Sequence, residues 1–419
     1  MSTPVILMRT PAETALIERF ADEKATLPGA AAAREEAFAR FAAKGLPTKR
    51  VESYHYSDLR AAMRSLAPRP ALTKAEAGRA FSGFTRLSFV NGVFQGEAAP
   101  SGITLEPLAE ALEAGCITPN AVMGAASDVV VDLNTAFARE GLVLHVAKGV
   151  TTPLHLAFIA AGPGAGFSRM IVDVAPGACL TLLETHEGGA EAYQVNAMVE
   201  FRLGAGAKVE HLHLNEAGQA AMMLTTLATT LAEEAEFSSL NVALGGAFTR
   251  HQVFVTFAGE NAKSTIKGAS LLSGTQHHDT TLVVDHALAL GISRELFKTV
   301  VDDAAQGVFQ GKIIVRQYAQ KTDGQMASNA LLLSDEAGMS NKPELEIFAD
   351  DVVCAHGATC GALDESQLFY LMARGIPKKE AEAMLIEAFL AEALDEVTHE
   401  ETREVLSGLL SAALRRRVS

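Results

Sequence analysis

The chain has 419 residues, 48% apolar and 20% charged, which allows two or three domains and excludes a disordered, collagen-like or coiled-coil protein. Its 35 basic and 50 acidic residues leave a net charge of −15, so nucleic acid and anionic membranes are poor partners. Tryptophan is absent, no apolar run approaches the roughly 18 residues of a spanning helix, and four scattered cysteines are too few for a disulfide framework; a soluble protein of a reducing compartment is expected.

The N-terminus, MSTPVILMRTPAETALIERF, passes from a short apolar stretch into an acidic amphipathic pattern. It has the form of neither a secretory signal nor an Arg-rich transit peptide, so a cytoplasmic location is expected. Residues 11–66 read as helical. Pro11 opens a helix with Leu16, Ile17 and Phe20 at helical spacing, and Leu27-Pro28-Gly29 breaks it. A second helix carries Phe38 and Phe41 on one face and ends at Lys44-Gly45. The run Gly45 to Tyr56 reads as a packed loop entering another short helix, and residues 68–125 are mixed. Together, 1–125 form an N-terminal helical and mixed domain.

From about 126 to 361 the pattern becomes period-two, as in Leu142–Val146 and Val209–Leu214. Similar turns recur at Pro176-Gly177-Ala178, Ala205-Gly206-Ala207, Glu233-Glu234-Ala235, Glu260-Asn261-Ala262, Asp302-Asp303-Ala304 and Asp335-Glu336-Ala337. Their alanines are 29, 28, 27, 42 and 33 residues apart. A repeat of roughly 30 residues, each holding two strand-like runs, predicts a mainly β protein built as a parallel β-helix, with a series of antiparallel hairpins as the rival. Residues 362–419 then form a C-terminal helical domain. Met384, Leu385, Ala388, Phe389 and Ala391 lie on an apolar stripe, and a final helix carries Val405, Leu406, Leu409, Leu410 and Leu414 before Arg415-Arg416-Arg417.

No phosphate-binding loop, GxSxG elbow, HExxH or dinucleotide fingerprint occurs. The richest cluster is Asp350 to Cys360, where Cys354, His356 and Cys360 share one side of an extended strand. Cys354 and His356 are candidate ligands for iron, zinc or an iron–sulfur cluster; the rival reading is a packed thiol and a structural histidine. His277 and His278 point to opposite faces and read as outer ladder residues. His211 and His213 share a face but define no site by themselves. Asp302 and Asp303 could serve a solenoid polysaccharide lyase or hydrolase, although their place in the repeating turn favours a backbone role.

The stretch Phe309 to Ile376 contains Lys321-Thr322-Asp323-Gly324-Gln325, Lys342-Pro343-Glu344-Leu345-Glu346-Ile347, Asp350-Asp351-Val352, His356-Gly357-Ala358-Thr359, Leu368-Phe369-Tyr370-Leu371 and Arg374-Gly375-Ile376. It resembles the core signature of the SufB/SufD family of iron–sulfur assembly proteins. Gly45 to Leu59 resembles that family's N-terminal motif, with Tyr54-His55-Tyr56 where Trp-x-Tyr is common. Cys-Ala-His-Gly-Ala-Thr stands where SufB has a His-Glu-Ala-Thr type sequence, which sets the chain on the other branch. The resemblance implies a right-handed parallel β-helix between helical domains and a non-catalytic scaffold role. It implies pairing with SufB through the solenoids and binding of the ATPase SufC by the C-terminal helices, for which Ile376, Met384, Leu385 and Phe389 are candidates. It further implies no cofactor held stably by the isolated chain, but a transient iron–sulfur cluster or iron at the SufB interface, with a cysteine of SufB and His356 as candidate ligands; Cys354 is a candidate from strand parity alone. Cys360 lies outside the family pattern and is either an extra ligand or, the favoured reading, merely a small apolar residue. A homodimer acting with SufC alone is the alternative assembly.

Overall fold

The computed structural model describes residues 8–73, 78–96, 99–117 and 128–418, and the expected domain boundary at 125 lies outside them. Helix α1 (Pro11–Glu23) starts in a capping box: the Thr10 hydroxyl accepts from the Glu13 amide, and the Glu13 carboxylate accepts from the Thr10 amide. Helices α2 (Ala31–Lys44) and α3 (Leu59–Ala62) follow. Phe20 stacks on Phe38 at 3.9 Å, so the aromatic positions at helical spacing meet between α1 and α2.

The sheets begin earlier than the period-two pattern indicates. Strands β1 (Thr85–Val90), β2 (Val93–Phe94) and β3 (Ile103–Pro107) lie in the segment that reads as mixed, followed by α4 (Leu108–Glu113) and α5 (Val129–Phe137). Their Pro- and Gly-rich surroundings mask the alternation, and β1 gains its place by pairing in parallel with a strand some 70 residues later.

Eight two-strand turns then stack. They are β4 (Leu142–Val146) and β5 (Leu154–Ala160), β6 (Ala165–Val174) and β7 (Cys179–Gly188), β8 (Gln194–Leu203) and β9 (Lys208–Glu216), and β10 (Met222–Leu231) and β11 (Glu236–Ala243). The series continues with β12 (Phe248–Phe257) and β13 (Lys263–Leu272), β14 (His277–His286) and β15 (Ile292–Val301), β16 (Gln306–Val315) and β17 (Asp323–Leu332), and β18 (Gly338–Ile347) and β19 (Val353–Gly361). Even-numbered strands from β4 form one parallel sheet and odd-numbered strands from β5 the other, so the fold is the parallel solenoid and not a set of hairpins. Between the sheets lie Leu144, Leu156, Val172, Leu182, Phe201, Phe237, Val255, Leu282, Phe309 and their neighbours. Each fully buried aliphatic or aromatic side chain of this kind contributes about 1.5–3 kcal/mol.

The turns from even to odd strands centre on left-handed residues at Gly177, Gly206, Glu234, Asn261, Leu290 and Lys321, spaced 29, 28, 27, 29 and 31 apart. Asp302–Ala304 and Asp335–Ala337 belong to the opposite edge, where Gly274 and Asp303 are 29 apart. The irregular interval of 42 arises from counting across both edges. Non-glycine residues tolerate this conformation because it aims the turn amide at the next turn: Glu234 donates to the Glu260 carbonyl at 2.9 Å and Leu290 to the Gln320 carbonyl at 2.9 Å. Asp303 accepts from the Gly274 amide at 2.8 Å, which satisfies its backbone role.

Helices cover both outer faces. α1, α2 and α5 pack on the even sheet through Met222 and Leu224. On the odd sheet, Leu183, Leu212, Leu240 and Val300 meet α7 (Lys378–Ala391) and α8 (Glu400–Val418), which follow α6 (Glu365–Ala373). The side chains of Arg416 and Arg417 lie outside the described residues. No described helix is long and apolar enough to cross a membrane, and all four cysteines are free.

Candidate functional site at the open end of the solenoid

The last turn has no successor. β18 pairs only with β16 and β19 only with β17, so each ends its sheet as an edge strand among the described residues. Such an edge presents a row of unpaired amides and carbonyls to another chain. Ile347, Phe348 and Val353 beside it are 41%, 59% and 65% exposed, and Val315, which stands opposite Ile347 on the preceding turn, is buried.

Parallel register places Cys354, His356 and Cys360 opposite Gly324, Met326 and Ala330. All three share the parity of the interior-facing residues, as the alternation predicts. Their surroundings differ. Cys354 packs half-buried against the apolar interior, and burial raises its thiol above the ordinary value. His356 is exposed. Cys360 is also exposed and accepts from Asn341 Nδ2 at 3.3 Å. Donor atoms of the three do not converge within 4.8 Å, so a ligand sphere there would have to draw on another chain.

Around this turn the signature residues form a polar frame. Lys342 bridges Glu344 at 3.5 Å and also pairs with Glu52 of the N-terminal segment. Lys312 reaches Glu346 at 2.9 Å, and Lys321 pairs with Asp351. The segments at 45–59 and 342–347, distant in sequence, therefore meet.

On the C-terminal helices, the stripe read from sequence divides. Ile386 and Leu390 face the odd sheet, with Ala393, Leu394 and Val397 beyond them. Phe389 is half-buried beneath Lys298, whose Nζ lies 4.7 Å from its ring. Ile376 and Leu385 are half-buried, and only Met384 among the four candidates is exposed. It lies in the same helical region as Phe369, Tyr370 and Met372 of α6, which are 73%, 57% and 43% exposed.

Sequence reasoning missed a buried polar set. Glu184, His186, His211, His213 and His251 lie between the sheets, and His278 points inward rather than joining an outer ladder; only His277 faces out, with its Nε2 2.7 Å from Ser57 Oγ. Desolvation lowers His213 and His278 to about 4. Desolvation opposes ionisation of Glu184, yet the surrounding imidazoles hold it well below the usual carboxylate range. The sequence signal is His211-x-His213 following Glu184-x-His186 at the interval of one turn.

Fold and terminal turn define a parallel β-solenoid whose last strands, β18 and β19, end their sheets among the described residues. Residues 158–389 match the SUF system FeS cluster assembly, SufBD core domain, and residues 14–65 match the SufBD protein N-terminal region. A SufBD family iron–sulfur cluster assembly protein of Synechocystis sp. is 30% identical over 382 residues, 84% of either chain. The iron–sulfur cluster assembly protein SufD of Escherichia coli is 34% identical over 270 residues, 64% of this chain and 62% of that protein, under two thirds of its length. SufD of Bacillus subtilis is 38% identical over 111 residues, 26% of this chain and 25% of that one. The chain belongs to the SufBD family of iron–sulfur cluster assembly proteins.

Proposed function

We propose that this chain is the SufD-type scaffold subunit of a cytoplasmic iron–sulfur assembly complex. It pairs through β18 and β19 with the corresponding edge of a SufB chain and carries one SufC ATPase on α6 and α7. The observation that supports this reading is the open last turn, with both edges unpaired and apolar Phe348 and Val353 exposed beside them. Strand addition there would satisfy the free backbone groups and bury those side chains in one step. His356, exposed on β19, would meet donors from the partner at the junction, with Cys354 available once it loses its proton. The nascent cluster is cargo, not a resident group. Without a phosphate loop in this sequence, ATP hydrolysis falls to SufC, and its ATP-driven dimerisation would strain the paired solenoids and expose the junction. Exposed Phe369, Tyr370, Met372 and Met384 supply the docking face for it.

The test is anaerobic co-purification of the complex carrying His356→Ala. Subunits should assemble normally while bound iron, sulfide and visible absorbance fall. Wild-type cluster content in that variant would show the histidine to be structural, and recovery of the chain from its host without partner subunits would overturn the scaffold reading.

A further inference from the structure

A second set of ligand-type side chains lies deep inside the solenoid, where the assembly reading makes no use of it. Glu184 and His186 stand on β7 and His213 on β9, with Glu184 and His213 directly opposite in register. Their donor atoms all lie within 4.8 Å of one another, and no other three histidine, cysteine, aspartate or glutamate side chains converge so closely among the described residues. All three are buried, with 4% exposure or less.

The hydrogen bonds leave one electron pair without a role. His186 Nε2–H donates to Glu184 Oε1 at 2.6 Å, and His211 Nε2–H donates to Glu184 Oε2 at 3.1 Å. His213 differs: its Nδ1–H donates to Asn241 Oδ1 at 2.7 Å, which makes Nε2 a bare acceptor. That nitrogen has no hydrogen-bond partner and stands 3.9 Å from Glu184 Oε1. Two electron-pair donors thus face each other across a gap sealed from solvent. The arrangement is repulsive unless a cation sits between them.

We propose that Glu184, His186 and His213 form a buried site for one divalent first-row transition-metal ion, with His211 as an available fourth donor. Two imidazoles and a carboxylate suit zinc(II) or iron(II) and not the hard calcium or magnesium ions. The outer contacts match this role. Asn241 fixes the tautomer and plane of His213, and Ser239 Oγ lies 3.0 Å from His211 Nδ1. Phe158 stacks on His186 at 4.9 Å and His251 on His213 at 4.9 Å, so both rings are held in place. On binding, His186 passes to its other tautomer and turns its Nε2 lone pair to the metal. His186 also lines a cavity of about 50 Å³ bounded by Phe89, Phe158, Tyr193 and Met223. β9 is five strands from β19, so this site can fail while the terminal-turn reading stands, and the reverse.

The test uses the full chain carrying Cys354→Ala, His356→Ala and Cys360→Ala, which removes the exposed donors of the last turn. Metal-free protein is titrated anaerobically with zinc(II) in one arm and iron(II) in another. The expected result in at least one arm is a single ion per chain with a raised melting temperature. Glu184→Gln should weaken binding at least about tenfold, and adding His213→Gln should abolish it. X-ray absorption at the metal edge of the loaded parent, which needs no folded variant, should show a nitrogen and oxygen shell with imidazole scattering. Absence of stoichiometric binding in both arms, affinity unchanged in well-folded variants, or a shell without imidazole would overturn the proposal.

Discussion

The guanidinium of Arg250 lies over the ring of Tyr54, 3.9 Å from its centroid, on the seam between the even sheet and the N-terminal segment. Both residues are buried, with 0% and 2% exposure. Arg250 bonds Asp279 at 2.5 Å and the Ser53 carbonyl at 2.8 Å, and the Tyr54 hydroxyl donates to Asp128, the N-cap of α5, at 3.0 Å. One cation thereby joins β12, β14 and the segment at 45–59. Arg250→Met leaves Asp279 charged and unpaired in the interior and should cost about 3–5 kcal/mol. Tyr54→Phe removes a single hydrogen bond and should cost about 1–2 kcal/mol. Urea unfolding checks both, and equal losses would contradict the central place of the cation.

Glu295 carries a pH dependence of the opposite sign to the usual carboxylate. It lies between the sheets on the same ladder as Met326 and His356, and burial raises its pKa from 4.5 to about 8. The folded chain therefore keeps the proton while the unfolded chain loses it above about 4.3. The stabilising effect is complete below the unfolded value and is lost as pH rises towards about 8, by up to about 1.4 kcal/mol per unit. Glu295→Gln should flatten this decline, so that its melting temperature exceeds wild type at pH 8 and approaches it at pH 4.5. Parallel melting curves for the two proteins would disprove it.

Removing α7 and α8 is a poor probe of ATPase docking, because it strips the cover from Leu183, Leu212, Leu240 and Val300. Truncation after Gly375 should lower the melting temperature and cause aggregation, not leave an intact solenoid. Phe369→Asp with Met384→Asp instead alters two residues exposed at 73% and 44%. This pair should keep the wild-type melting temperature to within the roughly 0.5 kcal/mol of surface substitutions while abolishing capture of SufC. Retained capture would place the docking face elsewhere.

Val353→Asp tests the open edge. The residue is 65% exposed at the start of β19, so the isolated chain should fold as wild type. A buried charge in the completed junction should weaken pairing with SufB at least about tenfold, read by sedimentation of the mixed subunits. If this chain self-associates through the same edge, the substitution should abolish that dimer as well. Unchanged pairing would remove β19 from the interface.

Period-two alternation and a near-30-residue interval favoured the solenoid, because stacked turns impose the same local demand on every repeat, but left antiparallel hairpins open until the parallel pairing of alternate strands decided it. Local pattern also sufficed for α1 and α2, whose cap, breaker and aromatic spacing act within a few residues. Cys354, His356 and Cys360 could be assigned to one side of a strand by parity alone. What parity could not supply was their unequal burial, which depends on whether another turn lies above them. Leu290 shows the same limit: no local preference makes leucine left-handed, and only the Gln320 carbonyl one turn away requires it. Likewise, α7 presents apolar residues on much of its surface, and the odd sheet decided that Ile386 and Leu390 turn inward while Met384 stays exposed. Glu184 and His213 are 29 residues apart and meet only through the β7–β9 register. The sequence by itself determined which residues alternate and where the chain turns, since those are short-range steric and hydrophobic constraints. Tertiary structure alone decided which alternating residues meet, because one-residue differences in turn length set the register across which they face each other.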